Sequence, residues 1–120
     1  MGLDSFIKVV DLKDVIDDFF FSSKNGEETE FKYWRKHKPL HDWMRRLFVK
    51  KGGDPLVNQF NCEHVRVTIE DLEFLKNDMD WHDEYGDQYD HEYNDYKFIE
   101  EAIGFLERNK DKAFYFYSWY

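Results

Sequence analysis

The sequence predicts an α+β fold: a small sheet of about four strands, with three to four helices packed mainly on one face. Apolar residues alternate in some short segments and recur at helical spacing in others, in the order strand, helix, strand, helix, strand, helix, helix, strand. The 120 residues fit a single domain spanning 1–120. Aromatic residues make up 20% of the chain, which indicates a folded core built largely from rings.

The first half of the chain predicts two strands and two helices. Residues 3–10 and 30–34 have strand character. Asp11 is expected to cap a short helix with this apolar spacing: Leu12, Val15, Ile16, Phe19 and Phe20. Pro39 suits the first turn of a second helix, which Gly52 and Gly53 end. The apolar side of that helix would contain Leu40, Trp43, Met44, Leu47 and Phe48.

The second half predicts a third strand at 63–67, two helices and a terminal strand. Thr68 and Asp71 have the spacing of a capping box. The apolar side of the third helix would contain Ile69, Leu72, Leu75 and Met79. A fourth helix over about 93–109 would bury Tyr96, Ile99, Ala102, Ile103 and Leu106.

Residues 113–120 form an uncharged, aromatic and strongly β-prone segment. Such a segment on a bare sheet edge promotes aggregation, so we expect it in the middle of the sheet or covered by helices. Strand alternation then places Phe114 and Phe116 on one face, and Tyr115, Tyr117 and Trp119 on the other.

The charges are segregated along the chain. The net charge is -9, yet residues 32–51 hold eight of the 17 Lys and Arg and a single acid, Asp42, while residues 77–96 hold eight acids and no Lys or Arg. The net charge makes direct nucleic-acid binding unfavourable. With Cys62 as the only cysteine and no apolar stretch long enough to span a membrane, we expect a cytoplasmic protein without disulfides.

Several motifs together resemble a known family. They are Gly2-Leu3-Asp4, Tyr33-Trp34-Arg35-Lys36, Leu40-His41-x-Trp43, Asn61-Cys62, Gly86 with Tyr89-Asp90, and Tyr117-Ser118-Trp119. The pattern resembles a family of small uncharacterised proteins of tailed bacteriophages and prophages, with an N-terminal Met-Gly-Leu-Asp and a Tyr-Trp-Arg-Lys segment. His37-Lys38-Pro39 departs from the Ala-Asn usual in that family. The resemblance implies a phage accessory protein in the host cytoplasm.

Basic residues crowd the predicted start of the second helix, whose free amide groups already attract anions. A nucleotide or phosphorylated metabolite could be bound there, with a phosphate on the cations and a base stacked on Trp34. The candidate residues are Trp34, Arg35, Lys36, Lys38 and His41. The alternative is structural: Trp34 lies in the core and Arg35 pairs with acids of the 78–95 region.

The acidic segment matches no calcium-loop or zinc spacing, so no metal or other cofactor is predicted there. Its interleaved aromatic rings suit a protein interface. The residues expected to contact a partner are Trp81, Asp83, Tyr85, Asp87, Tyr89 and Asp90.

Three functions remain in competition. The first is a non-catalytic phage protein that binds a host protein, and we adopt it because no catalytic group of residues is evident, although an enzyme stays open. The second is a protein that binds or hydrolyses a small anionic ligand at the basic helix start. The third is an acidic DNA mimic that inhibits a host protein.

Overall fold

The computed structural model describes residues 3–22, 29–53, 63–78 and 95–119. The described chain contains four strands, three α-helices and one 3-10 turn. Their bounds are β1 (Asp4–Asp11), the 3-10 turn (Leu12–Asp14), β2 (Thr29–Arg35), α1 (Lys38–Lys50), β3 (His64–Val67), α2 (Ile69–Asp78), α3 (Asp95–Arg108) and β4 (Lys112–Trp119). The α+β class and the four-stranded sheet are therefore as predicted.

The sheet has the strand order β2-β1-β4-β3, and every neighbouring pair is antiparallel. The first and last of the described strands, β1 and β4, form its centre. The predicted central place of the aromatic terminal strand is thus confirmed, and its backbone groups pair on both sides. The edge strands are β2 and the short β3.

One face of the sheet, the inner face, is buried and packs against α1. It consists of Ser5, Ile7, Val9, Trp34, Val65, Val67, Phe114, Phe116 and Ser118. The predicted apolar side of α1 is buried too, and Nδ1 of His41 on this helix lies 2.9 Å from Oγ of Ser118. Pro39 lies in the first turn of α1, as expected, and Gly52 with φ 111° follows its end.

The opposite face, the outer face, is covered over part of its area by residues 12–22. Val15 and Phe21 pack on Val10, Ala113 and Tyr115. The phenol of Tyr115 donates to the carbonyl oxygens of Asp17 at 2.6 Å and Phe20 at 3.0 Å, and Arg66 N donates to Asp18 O at 2.7 Å. We call residues 12–22 the cover segment.

The prediction of an α-helix in the cover segment is wrong, because only the 3-10 turn at Leu12–Asp14 forms there. Oδ1 of Asp17 accepts the amide hydrogens of Phe19 and Phe20, both at 2.8 Å, which gives the backbone a local alternative to helical bonds. The chain then reverses through a bridge between Val15 and Phe21. Asp11, expected as the helix cap, makes no cap bond and pairs with Lys112 instead, which lowers the pKa of its carboxyl group.

The structure divides into two compact units, the first with the four strands and α1, the second with α2 and α3. In the second unit the capping box is confirmed: Thr68 N donates to Oδ2 of Asp71 at 2.9 Å, and Asp71 N donates to Oγ1 of Thr68 at 3.2 Å. Leu72 and Leu75 are buried as predicted, and so are Ile99, Ala102 and Leu106. Tyr96 is 42% exposed, contrary to prediction, and Phe98 is buried in its place.

Candidate functional site

The register of the sheet brings four rings into one row across the outer face. Phe6 of β1 lies opposite Tyr33 of β2 and opposite Tyr117 of β4, and Tyr117 lies opposite His64 of β3. All four strands therefore contribute one ring at the same level. We call Tyr33, Phe6, Tyr117 and His64 the aromatic row.

Neighbouring rings of the aromatic row are in contact. The ring centroids are 5.0 Å apart for Tyr33 and Phe6, 6.2 Å for Phe6 and Tyr117, and 4.6 Å for Tyr117 and His64, all with tilted planes. Cross-strand aromatic pairs of this kind stabilise a sheet and hold one another in place. The four rings consequently form an ordered surface that runs without a break across the four strands.

A second row lies two residues further along the strands, about 7 Å away. In it Asp4 of β1 lies between Arg35 of β2 and Trp119 of β4. The phenol of Tyr33 donates to Oδ1 of Asp4 at 2.6 Å, which links the two rows and raises the pKa of the tyrosine. Arg35 forms no ion pair within the part of the chain that the structure describes.

Exposure rises steadily along the outer face of β4. Ala113 and Tyr115 are buried under the cover segment, Tyr117 is half-buried, and Trp119 is 55% exposed. Tyr33 at the outer edge is 43% exposed. The cover segment thus ends between the levels of Tyr115 and Tyr117. Beyond it Phe6, Tyr117 and His64 are half-buried, and Tyr33 and Trp119 are exposed.

A shallow pocket of about 340 Å³ borders the aromatic row, lined by Phe6, Lys8, Thr29, Glu30 and Tyr117. Nζ of Lys8 is 4.4 Å from the centre of the Tyr117 ring, a cation–π geometry, and 3.2 Å from Nε2 of His64. Burial, with the nearby Lys8 charge second, lowers the pKa of His64 to about 4. At neutral pH the imidazole is therefore uncharged, so Nε2 accepts the hydrogen bond that Lys8 donates.

The residues predicted as an anion site are dispersed in the structure. Trp34 is 1% exposed and packs in the inner face, opposite Ser5, so it presents no ring face to a ligand. The structure thus agrees with the alternative that Trp34 is a core residue. Arg35 lies on the outer face in the row of Asp4, whereas Lys36, exposed and with φ 61°, forms the turn towards α1.

Lys38 and His41 lie in the first two turns of α1, but Lys38 is exposed and His41 is buried. Nζ of Lys38 is 3.3 Å from Oδ2 of Asp42 at the helix surface. His41 is 6% exposed, and Oγ of Ser118, its hydrogen-bond partner, lies 3.0 Å from Oγ of Ser5. Burial is the main cause that lowers the pKa of His41. The geometry is that of a buried polar network that joins α1 to β4 and β1.

The predicted partner-binding residues Trp81, Asp83, Tyr85, Asp87, Tyr89 and Asp90 lie outside the described residues. Over the described ranges, no three or more His, Cys, Asp or Glu side chains come together as a group able to hold a metal ion. Within the same ranges, no helix has the length and apolar character needed to cross a membrane.

The aromatic row was missed in the sequence, apart from its Tyr117. The available signal was the alternation of side chains along a strand. It places Phe6 and Tyr33 on the face opposite to that of their neighbours Ile7 and Trp34, which are buried. Alternation does not state which strands are neighbours, so the row could not be assembled. No protein-family model, curated protein or solved structure matches the chain.

Proposed function

We propose that this chain is a non-catalytic binding protein, and that a protein partner docks on the open part of its outer face. The observation that carries the proposal is the aromatic row, which the cover segment leaves open although it buries Tyr115 on the same face of the same strand. In line with the family resemblance, the proposed partner is a host protein bound by a phage accessory protein in the cytoplasm.

The exposed side chains are of the types that dominate binding energy at protein interfaces. Trp, Tyr and Arg are enriched at such hot spots, and Trp119, Tyr33 and Arg35 stand together around Asp4. A Tyr or Trp side chain buries about 150–250 Å² when fully covered, so Tyr33 and Trp119 at about half exposure leave roughly 100 Å² each. At about 25 cal/mol per Å², covering each one favours binding by roughly 2–3 kcal/mol.

The charges of this face favour a protein over a nucleic acid. Lys8 and Arg35 are balanced by Asp4 and Glu30, so the face carries no net charge among these four groups. The whole chain, at -9, repels a phosphate backbone. A mixed surface with an aromatic centre matches the apolar core and polar rim of protein interfaces.

The two other functions have weaker support. A nucleotide site at the start of α1 needs an accessible Trp34, and this indole is buried. The DNA-mimic hypothesis depends on acids that lie outside the described residues. Among the described residues, no contact supports the nucleotide site at the start of α1 or the DNA-mimic hypothesis.

The test is capture of host proteins from a bacterial lysate, followed by mass spectrometry. We expect the unmodified chain to enrich a specific protein, and Trp119→Ala and Tyr33→Ala to weaken the complex by about 30-fold each, as hot-spot losses of about 2 kcal/mol do. Phe74→Ala is the matched control, because it removes an aromatic ring that is 59% exposed on α2. Equal capture by the Tyr33→Ala, Trp119→Ala double variant and the unmodified chain would remove the proposal.

A further inference from the structure

A second surface lies on α1, on the side of the sheet opposite to the aromatic row. The outward residues of the helix follow the spacing i, i+4, i+7, i+8, i+11 and i+12 and so form one stripe. They are Lys38, Asp42, Arg45, Arg46, Val49 and Lys50, which we call the basic stripe. All but Lys50 line a shallow pocket of about 450 Å³.

The basic stripe is strongly cationic in a chain that is acidic overall. The stripe itself contains four cations and one acid, Asp42, which Lys38 engages at 3.3 Å. Within the residues that the structure describes, neither the Arg45 nor the Arg46 side chain forms an ion pair or hydrogen bond. Among the described residues, therefore, no carboxylate neutralises the two guanidinium groups that line the pocket.

Part of this arrangement works against the stability of α1, although Lys50 in the last turn is favourably placed for the helix dipole. The first turn contains Lys38 and no acid, although a negative charge is the favourable one at this end of a helix. Arg46 and Lys50 are like charges four residues apart, which disfavours the helix. Burial is the main cause that lowers the pKa of His41; the charge of Asp42 on the stripe raises it, and the charges of Lys38 and Arg45 lower it. A binding role accounts for this concentration of like charge on one side of the helix.

We infer that the basic stripe binds an acidic segment of another protein, one that carries carboxylates and an apolar side chain. Guanidinium groups hold carboxylates through paired hydrogen bonds, and Arg45 and Arg46 supply two such groups at one pocket. Val49, 39% exposed, adds an apolar floor that suits an aliphatic side chain between the acids. A pocket of about 450 Å³ accommodates one or two side chains of such a segment.

A polypeptide fits this surface better than a nucleic acid. The net charge of -9 repels a long polyphosphate, whereas a short acidic segment meets mainly the local positive charge, because charges in about 0.15 M salt are screened beyond roughly 8 Å. The inference does not depend on the aromatic row, which faces the opposite side of the sheet.

The test uses the full chain and a fluorescein-labelled synthetic peptide of Glu residues with Leu at every fourth position. Binding is measured by fluorescence anisotropy, with a second peptide in which Gln replaces every Glu. We expect the Glu peptide to bind, the Gln peptide to bind at least tenfold more weakly, and added salt to weaken the Glu complex. Binding of both peptides with equal affinity would overturn the inference, as would no binding of either.

Charge variants assign the binding to the stripe. Arg46→Gln should lower the affinity for the Glu peptide several-fold, and Arg46→Glu should lower it at least tenfold. Lys110→Glu, the same charge reversal in the turn before β4, should change this affinity by less than twofold. Far-UV circular dichroism and a thermal melt verify that each variant is folded. Equal affinities for all three variants would overturn the inference. So would tighter binding of single-stranded oligo-dT than of the Glu peptide, or sedimentation showing that the stripe instead joins two copies of this chain.

Discussion

The buried network of His41, Ser118 and Ser5 gives the sharpest stability prediction. Oγ of Ser118 lies 2.9 Å from Nδ1 of His41 and 3.0 Å from Oγ of Ser5, and all three residues are at most 6% exposed. Ser118→Ala removes the central hydroxyl and both of these hydrogen bonds at once. Water does not readily replace them, because the two remaining polar atoms lie in the core.

The expected loss follows from these two bonds. A buried polar atom that loses its partner costs about 1–3 kcal/mol, and two atoms lose theirs, so Ser118→Ala should lower the free energy of unfolding by about 2–6 kcal/mol. Ser5→Ala removes one of the two bonds and should cost about half as much. Each single variant removes the bond between the two serines. The loss of unfolding free energy in the double variant should therefore be clearly smaller than the sum of the two single losses, because that bond can be lost only once.

Urea denaturation of the three variants and the unmodified chain measures these differences. The midpoint should fall for Ser118→Ala with little change in the slope, since the surface exposed on unfolding stays similar. A loss below about 0.5 kcal/mol for Ser118→Ala, which is the range of an ordinary surface substitution, would refute the argument. Strict additivity of the two serine variants would refute the contact between them.

Two further predictions concern the outer face. The pKa of His64 is lowered in the folded protein from 6.5 to about 4, so its stabilising effect is complete above pH 6.5 and is lost as the pH falls towards 4, where only the unfolded chain takes up the proton. His64→Gln should flatten the fall of stability between these pH values in urea titrations, and an unchanged slope would contradict the assigned pKa. Tyr115→Phe removes the bonds to the carbonyls of Asp17 and Phe20 and should cost about 1 kcal/mol, with faster proteolysis within the cover segment. Equal proteolysis rates for this variant and the unmodified chain would show that the phenol does not hold the segment.

The elements predicted correctly are those whose periodicity is long and whose ends carry clear signals. Helix α1 has Pro39 at its start and a repeated apolar spacing, and β4 is an uninterrupted β-prone run. The cover segment was misread because its apolar spacing is typical of a helix, whereas Leu12, Ile16 and Phe20 are exposed and Val15 and Phe21 make the packing contacts. The side chain of Asp17 decides between a helix and a compact turn by accepting two backbone amide hydrogens.

The candidate site depended on information that periodicity does not contain. Trp34 and Tyr33 are adjacent aromatic residues in a strand, and a shift of one residue exchanges the buried ring with the exposed one. The pairing of Ser5 with Trp34 sets this phase. The aromatic row needs, in addition, the pairing of Phe6 with Tyr117, which are far apart in sequence. Neither pairing is visible without the strand order.

The two proposed surfaces are held in a fixed relation by the central strands. On β4, Tyr117 and Trp119 point to the outer face, while Ser118 between them points to the inner face and meets His41 of α1. A shift of β4 by one residue would turn Tyr117 and Trp119 inward and break the contact of Ser118 with Ser5. The network therefore fixes the register that presents the aromatic row and the orientation of the helix that carries the basic stripe. Preorganisation of this kind lowers the entropy cost of binding at both surfaces, so Ser118→Ala should also weaken capture by the aromatic row even where the variant remains folded.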